Sequence, residues 1–140
     1  MQVPAPVVAP LALVARVLLA LMFILAGFSK FAGLEGTAGY IASKGLPVPG
    51  VLAFLTAVIE VVGGLALAVG FQARFAALAL ALFTLVASVI FHNFWAMPAD
   101  QAFVQQLMFM KNLSVAGGLL FVFALGAGPA SFDARRLAAA

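Results

Sequence analysis

Four long stretches of this chain are apolar at nearly every position, near residues 10–29, 50–70, 74–93 and 104–126. Each is about the 20 residues that a helix needs to cross roughly 30 Å of hydrocarbon. The pattern predicts an all-α integral membrane protein, an antiparallel up-down-up-down four-helix bundle that takes up residues 1–140 as a single membrane domain. The opening "MQVPAPVVAP" holds Pro4, Pro6 and Pro10, which predicts that the first helix starts only after Pro10. Glycines in "GFSKFAGLEG" mark its end. The following connection contains "KGLPVPG", where Pro47 and Pro49 predict extended backbone at the residues before them. At roughly 20 residues this connection is longer than usual and suggests a small cap or a re-entrant element. Only "GFQAR" separates the second and third runs, which predicts a tight helical hairpin. The segment "HNFWAMPADQAF" places Phe91, Phe94 and Trp95 where an interfacial aromatic belt would lie. The tail "GAGPASFDARRLAAA" is expected to leave the membrane and to end polar and basic.

Composition strengthens the membrane assignment. Hydrophobic residues make up 66% and charged residues 8% of the chain, against about a quarter charged in a soluble domain, and the mean hydropathy is +1.25. Nothing is left for a soluble catalytic module. The net charge of +3 comes from seven Lys and Arg spread along the whole length, with no basic stripe, so a nucleic-acid partner is not indicated. There is no cysteine and one histidine, which excludes disulfides, thiolate metal sites and a thiol relay within the chain and argues against a metal centre. Arg16 followed by "VLLALMFILAG" has the outline of a signal peptide, but we read this run as a retained spanning helix. Arg16, Arg74, Arg135 and Arg136 collect on one side of the predicted bundle and Lys30 and Lys44 on the other, which makes both termini cytoplasmic.

Against this apolar background the ionisable residues inside the runs stand out. Winding the second run at about 100° per residue brings Ala53, Thr56, Ala57, Gly63, Gly64 and Leu67 onto the face of Glu60, and puts Val51, Leu55, Val58, Val62, Leu65 and Val69 opposite. Small residues let membrane helices approach closely, so the Glu60 face is expected to point inward. An unpaired charge at this depth costs roughly 2.5–3.5 kcal/mol on insertion scales, so Glu60 needs a partner or a proton. Two bases are candidates. At 1.5 Å rise per residue, Arg16 lies roughly 8 Å, Glu60 roughly 15 Å and Lys111 roughly 20 Å from the cytoplasmic surface. Arg16 shares its face with Ala12, Ala20, Phe23 and Gly27, and Lys111 with Leu107, Ser114, Val115 and Gly118. Two bases facing one acid invite an anion, a polarisable carbonyl or a deprotonated lysine. His92 lies in line with Ser88, Leu85, Ala81 and Arg74 and would extend this polar path outward.

Taken together, "RVLLALMFILAGFSKF", "GLP", "VIEVVGGLALAVGFQAR", "VIFHNFW" and "KNL" resemble the DoxX family of small four-helix proteins of the bacterial inner membrane. The resemblance places the family's first-helix arginine on Arg16, its loop lysine on Lys30 and its second-helix acid on Glu60. The arginine after that helix falls on Arg74, the third-helix histidine on His92 and the fourth-helix asparagine on Asn112. The family takes its name from a subunit of a thiosulfate:quinone oxidoreductase, so the resemblance implies quinone-linked redox chemistry or a redox-enzyme partner. Without cysteine or a large extramembrane domain, this chain departs from the thiosulfate role.

Two functions follow as expectations. In the first, Arg16, Glu60, His92, Lys111 and Asn112 form a buried polar network that binds a quinone or another small lipophilic molecule, with Phe91, Phe94 and Trp95 at the mouth of the pocket. The chain has no redox cofactor motif of its own, so electrons would come from a partner or from the ligand. In the second, the chain is a non-catalytic membrane subunit or assembly factor, and its buried charges pin the helices in register. A transporter is disfavoured by the lack of an internal repeat and of broken helices, although a homo-oligomer would build a path that one copy lacks.

Overall fold

The computed structural model describes residues 4–139, and of Ala5 the backbone alone. The first three positions of the proline-rich opening and the final alanine lie outside the described residues. Helices α1 (Ala5–Ala32), α3 (Pro49–Val69), α4 (Ala73–Phe91) and α5 (Ala99–Leu125) are the four long, apolar helices. Two short ones accompany them, α2 (Leu34–Ser43) and α6 (Phe132–Ala138), and a single 3-10 turn spans Phe94–Ala96.

The first helix starts before Pro10, contrary to the expectation from the three prolines. Pro4 is its N-cap and Pro6 sits in its opening positions, where helix amides lack intrahelical partners in any case. Only Pro10 removes a hydrogen bond the helix would otherwise make, and the apolar run on either side carries the helix through it. The first helix also runs on to Ala32 and the last begins at Ala99, so both exceed the apolar runs that announced them. The long connection contains α2, packed on α3 through buried Ile41. Val48 is not extended as expected ahead of Pro49. It adopts a left-handed conformation with φ 44°, and its carbonyl accepts from Val51 and Leu52 at 3.0 and 3.2 Å to start α3.

Helix α1 packs chiefly on α3, and α4 on α5. The inward face of α3 matches the helical wheel: Ala53, Ala57, Glu60, Gly64 and Leu67 are buried, while Val51, Leu55, Val62, Leu65 and Val69 are exposed. Close approach is what the glycines of this seam supply. A Cβ on Gly27 would stand 2.9 Å from the backbone nitrogen of Val61 and 3.0 Å from the carbonyl oxygen of Ala57. The shared core consists of Ala20, Phe23, Leu67, Ala77, Leu80, Ala81 and Leu119. Large apolar side chains such as Leu18, Leu25, Val62, Phe75 and Phe121 stay exposed, as a surface facing lipid requires.

One end of the helices is fastened by the C-terminal segment, which was expected only to be polar and basic. The Asp133 carboxylate accepts from the amides of Gln72 and Ala73 at 2.8 and 2.9 Å, and the Asp133 amide donates to Gly70 at 2.9 Å. It thereby caps α4, whose own N-cap residue Gln72 contributes no side-chain bond. Gly70 has φ 73°, and a Cβ there would meet the Ser131 Cβ at 2.5 Å.

Candidate functional site

The wheel of α3 aims Glu60 inward, and its partner comes from the last turn of α1. Lys30 Nζ donates to Glu60 Oε2 at 2.6 Å, with the two side chains 29% and 8% exposed. Neither Arg16 nor Lys111, the two bases expected to meet this acid, makes the ion pair. Residues 20–27 of α1 lie against residues 57–64 of α3, with Gly64 against Ala20 and Ile24 and Gly27 against Ala57 and Val61. That register sets Lys30 level with about residue 54 of α3 and Arg16 level with Ala68, roughly 9 and 12 Å along the axis from Glu60. Residues 60 and 68 of α3 are roughly 12 Å apart along the axis, farther than an arginine that is already engaged can bridge.

Arg16 forms a separate knot. Its guanidinium, 2% exposed, donates to the carbonyls of Ala68 at 3.2 Å, Ala130 at 2.8 Å and Ala127. The planar fork of donors suits such a cluster of carbonyls. Arg74 performs the same task at the end of α5, where it donates to Phe123 and Ala124, both at 2.9 Å. Arg16 thus ties α1 and α3 to the chain after α5 and takes no part in the Glu60 site.

Above the Lys30–Glu60 pair lies a cavity of about 300 Å³, lined from α1 by Met22, Phe23, Ala26 and Lys30, from α2 by Thr37, Tyr40 and Ile41, and from α3 by Thr56 and Glu60. Helix α4 with the residue after it contributes Phe83, Thr84, Ala87, Phe91 and His92, and α5 contributes Lys111 and Asn112. Four of the five expected polar residues therefore meet on one cavity, and Arg16 is the exception. Lys111 is exposed and Asn112 buried. The buried stripe of α5 runs Asn112, Ala116 and Leu119, one residue round from the expected Lys111 face, so Lys111 stands at the rim. His92 Nδ1 lies at hydrogen-bonding distance, 2.8 Å, from Gln105 Oε1 of α5.

The expected aromatic mouth divides. Phe91 lines the cavity and lies under the Tyr40 ring of α2 at 5.3 Å between centroids, with the Tyr40 hydroxyl 3.4 Å from the Phe91 carbonyl. Phe94 and Trp95 instead pack on each other at 5.2 Å and each on Phe109 at 5.7 Å between centroids, off the cavity wall.

Three participants were missed from the sequence. Lys30 was placed beyond the first span, although it continues the inward series Arg16, Ala20, Phe23, Gly27 by three more residues, which was the signal. Tyr40 belongs to a helix read as a loop. Thr84 has a hydroxyl that is buried on the cavity wall with no hydrogen-bond partner, and nothing in its apolar run singles it out.

These features define a small multi-pass membrane protein in which apolar helices surround a chamber lined by acid, base and hydroxyl groups. The chain belongs to the DoxX family, whose model, described as DoxX, matches residues 11–93. It is similar to the inner membrane protein YphA of Escherichia coli, 38% identical over 125 residues that cover 89% of each chain. It is 42% identical over 121 residues to the inner membrane protein YqjF of the same organism, covering 86% of this chain and 88% of that one. Over 78 residues, 56% of each chain, it is 37% identical to a Bacillus subtilis protein named putative oxidoreductase CatD. No solved structure matches the chain. The protein resides in the bacterial inner membrane and crosses it several times.

Proposed function

We propose that the cavity is an intramembrane binding site for a small lipophilic molecule, a quinone or a related carbonyl compound, and that the protein serves redox metabolism as a binding subunit. One observation carries this reading: ionisable and hydroxyl side chains converge on a cavity of about 300 Å³ inside helices otherwise packed with Ala, Leu and Phe. Polar groups at membrane depth are costly and mark functional sites by default. The similarity to a protein named putative oxidoreductase supports the redox link. Lys111 would polarise a carbonyl oxygen, while Glu60 fixes the Lys30 ammonium or exchanges a proton with it. Protein purified in mild detergent is expected to carry extractable quinone, and Glu60→Gln to lower its occupancy. Quinone-free wild-type protein that also fails to take up added decylubiquinone would refute the quinone assignment.

A second reading is favoured by the Lys30–Glu60 bond itself, which joins α1 to α3 and would serve a purely structural subunit equally well. Replacing both partners by apolar residues separates the two. A folded double variant that still complements the deletion strain would favour the structural role.

The same proposal includes an up-down-up-down arrangement with both termini cytoplasmic. It is supported by the pairing of Gly27 with Ala57 and of Ala20 with Gly64, and by Arg74, Arg135 and Arg136 lying away from Lys30 and Lys44 in the predicted topology. Reporter fusions at the C-terminus and after Lys44 test it.

A further inference from the structure

The charges around the cavity do not balance. Lys30–Glu60 is the only ion pair among the described residues, so Lys111 lines the cavity without a countercharge. The other acids of the chain are placed elsewhere. Asp133 is bound to the amides of Gln72 and Ala73, Glu35 lies in the first turn of α2 and Asp100 in the first turn of α5. Lys111 is the thirteenth of the 27 residues of α5, which sets it roughly 18 Å from one end of the helix and 21 Å from the other. Counted on the apolar run 104–126, Lys111 lies seven residues, roughly 10 Å, inside the nearer end.

A second feature of the wall calls for a hydrogen-bond acceptor. Thr84 lines this cavity, and its Oγ1, which has almost no accessible surface of its own, is without a partner, so a turn about χ1 would bring the hydroxyl to a ligand. A buried hydroxyl costs free energy until it is bonded, and it can donate to an oxyanion. The rest of the wall is largely aromatic and aliphatic. Lys111 itself is exposed, so the cation stands where an amphiphile would enter from the surrounding lipid.

We propose that the cavity binds a lipophilic monoanion, an amphiphilic carboxylate or comparable single-charged acid. Its oxyanion meets the Lys111 ammonium and the Thr84 hydroxyl, and its apolar body lies against Phe23, Phe83 and Phe91. This rests on the reading of the cavity as a site for a small lipophilic molecule and adds a single negative charge to the ligand.

Native mass spectrometry of the full chain released from a neutral detergent tests it, with dodecanoate, dodecanol and decylubiquinone as probes. Dodecanoate is expected to bind at least about tenfold more tightly than dodecanol. Lys111→Met should abolish that preference, Lys111→Arg should keep it, and Thr84→Val should weaken dodecanoate alone, with thermal unfolding as the control for folding. Equal binding of dodecanoate and dodecanol by the wild type overturns the proposal without recourse to any variant. So does an undiminished preference in a folded Lys111→Met protein. Decylubiquinone binding without a preference for the acid would overturn the proposal while leaving the ligand site intact, whereas failure of all three probes would remove both.

Discussion

Lys30, in the last turn of α1, and Glu60, in the middle of α3, form a 2.6 Å hydrogen-bonded ion pair on the wall of the cavity. Among the described residues it is the only ion pair that links these two helices, so either member alone becomes an uncompensated charge. Removing one partner of a fully buried pair costs roughly 3–5 kcal/mol. Lys30 is 29% exposed and can find other hydration, which reduces the expected cost of Glu60→Gln to about 2 kcal/mol. Lys30→Met combined with Glu60→Leu should recover most of it, since no charge is then left behind. Denaturant titration in detergent checks both, and a double variant less stable than Glu60→Gln would contradict the account.

Arg16 is the stronger structural residue of the two inward-facing bases of α1. Its guanidinium satisfies the carbonyls of Ala68, Ala127 and Ala130, and hydrogen bonds to charged groups contribute about 1.5–3 kcal/mol each. Arg16→Leu should therefore largely abolish accumulation of folded protein in the membrane. Arg16→Lys, a point donor without the planar fork, should recover part of it. Ligand occupancy per folded molecule should be unchanged in the lysine variant because Arg16 lies off the cavity. A selective loss of binding would place Arg16 back in the site.

Much of this architecture was legible because membrane helices advertise themselves twice, by apolar length and by the small-residue face they turn inward. Ala53, Ala57, Glu60, Gly64 and Leu67 could be assigned to the buried face from spacing alone, and are buried. The ion pair was not legible, because the wheel gives direction but not register between helices. Arg16 and Lys30 occupy the same α1 face, and only the seating of Gly27 on Val61 and Gly64 on Ile24 decides which of them reaches Glu60. The Lys111 face was misjudged for a related reason. Helix α5 carries Lys111, Asn112 and Ser114 at different angles near its middle, and a stripe through Asn112, Ala116 and Leu119 differs from one through Lys111 and Val115 by a single residue. Asp133 was hidden because its role is to cap a helix 60 residues away.

Asp133 supplies both oxygens to the first amides of α4, at Gln72 and Ala73. Losing an N-cap costs about 0.5–2 kcal/mol, and a carboxylate adds attraction to the positive end of the helix. Asp133→Ala should cost about 1–2 kcal/mol, whereas Asp133→Asn retains one acceptor and should cost less. The loss should be local. Hydrogen exchange is expected to accelerate at Gln72, Ala73 and the Gly70 turn while the centre of α4 stays protected. Uniform acceleration along α4 would show that Asp133 supports the whole helix rather than its first turn.

The seam between α1 and α3 makes the last prediction a direct test of packing. A Cβ at Gly27 would stand 2.7 Å from Val61 Cγ2, 2.9 Å from the Val61 nitrogen and 3.0 Å from the Ala57 oxygen. A side-chain methyl can swing away, but two of the three obstacles are backbone, so even alanine must push the helices apart. Overpacking of this kind costs about 1–3 kcal/mol. Separating the helices also lengthens the Lys30–Glu60 bond, which lies one turn along from Gly27. Gly27→Ala should therefore lower both stability and ligand occupancy. Gly117, on α5, has nothing within 4 Å of a Cβ, and Gly117→Ala should be neutral or slightly stabilising because alanine is the better helix former by about 1 kcal/mol. Thermal unfolding of the two alanine variants side by side decides the matter. Equal behaviour would mean that the close approach of α1 to α3 is not what holds the base on its acid.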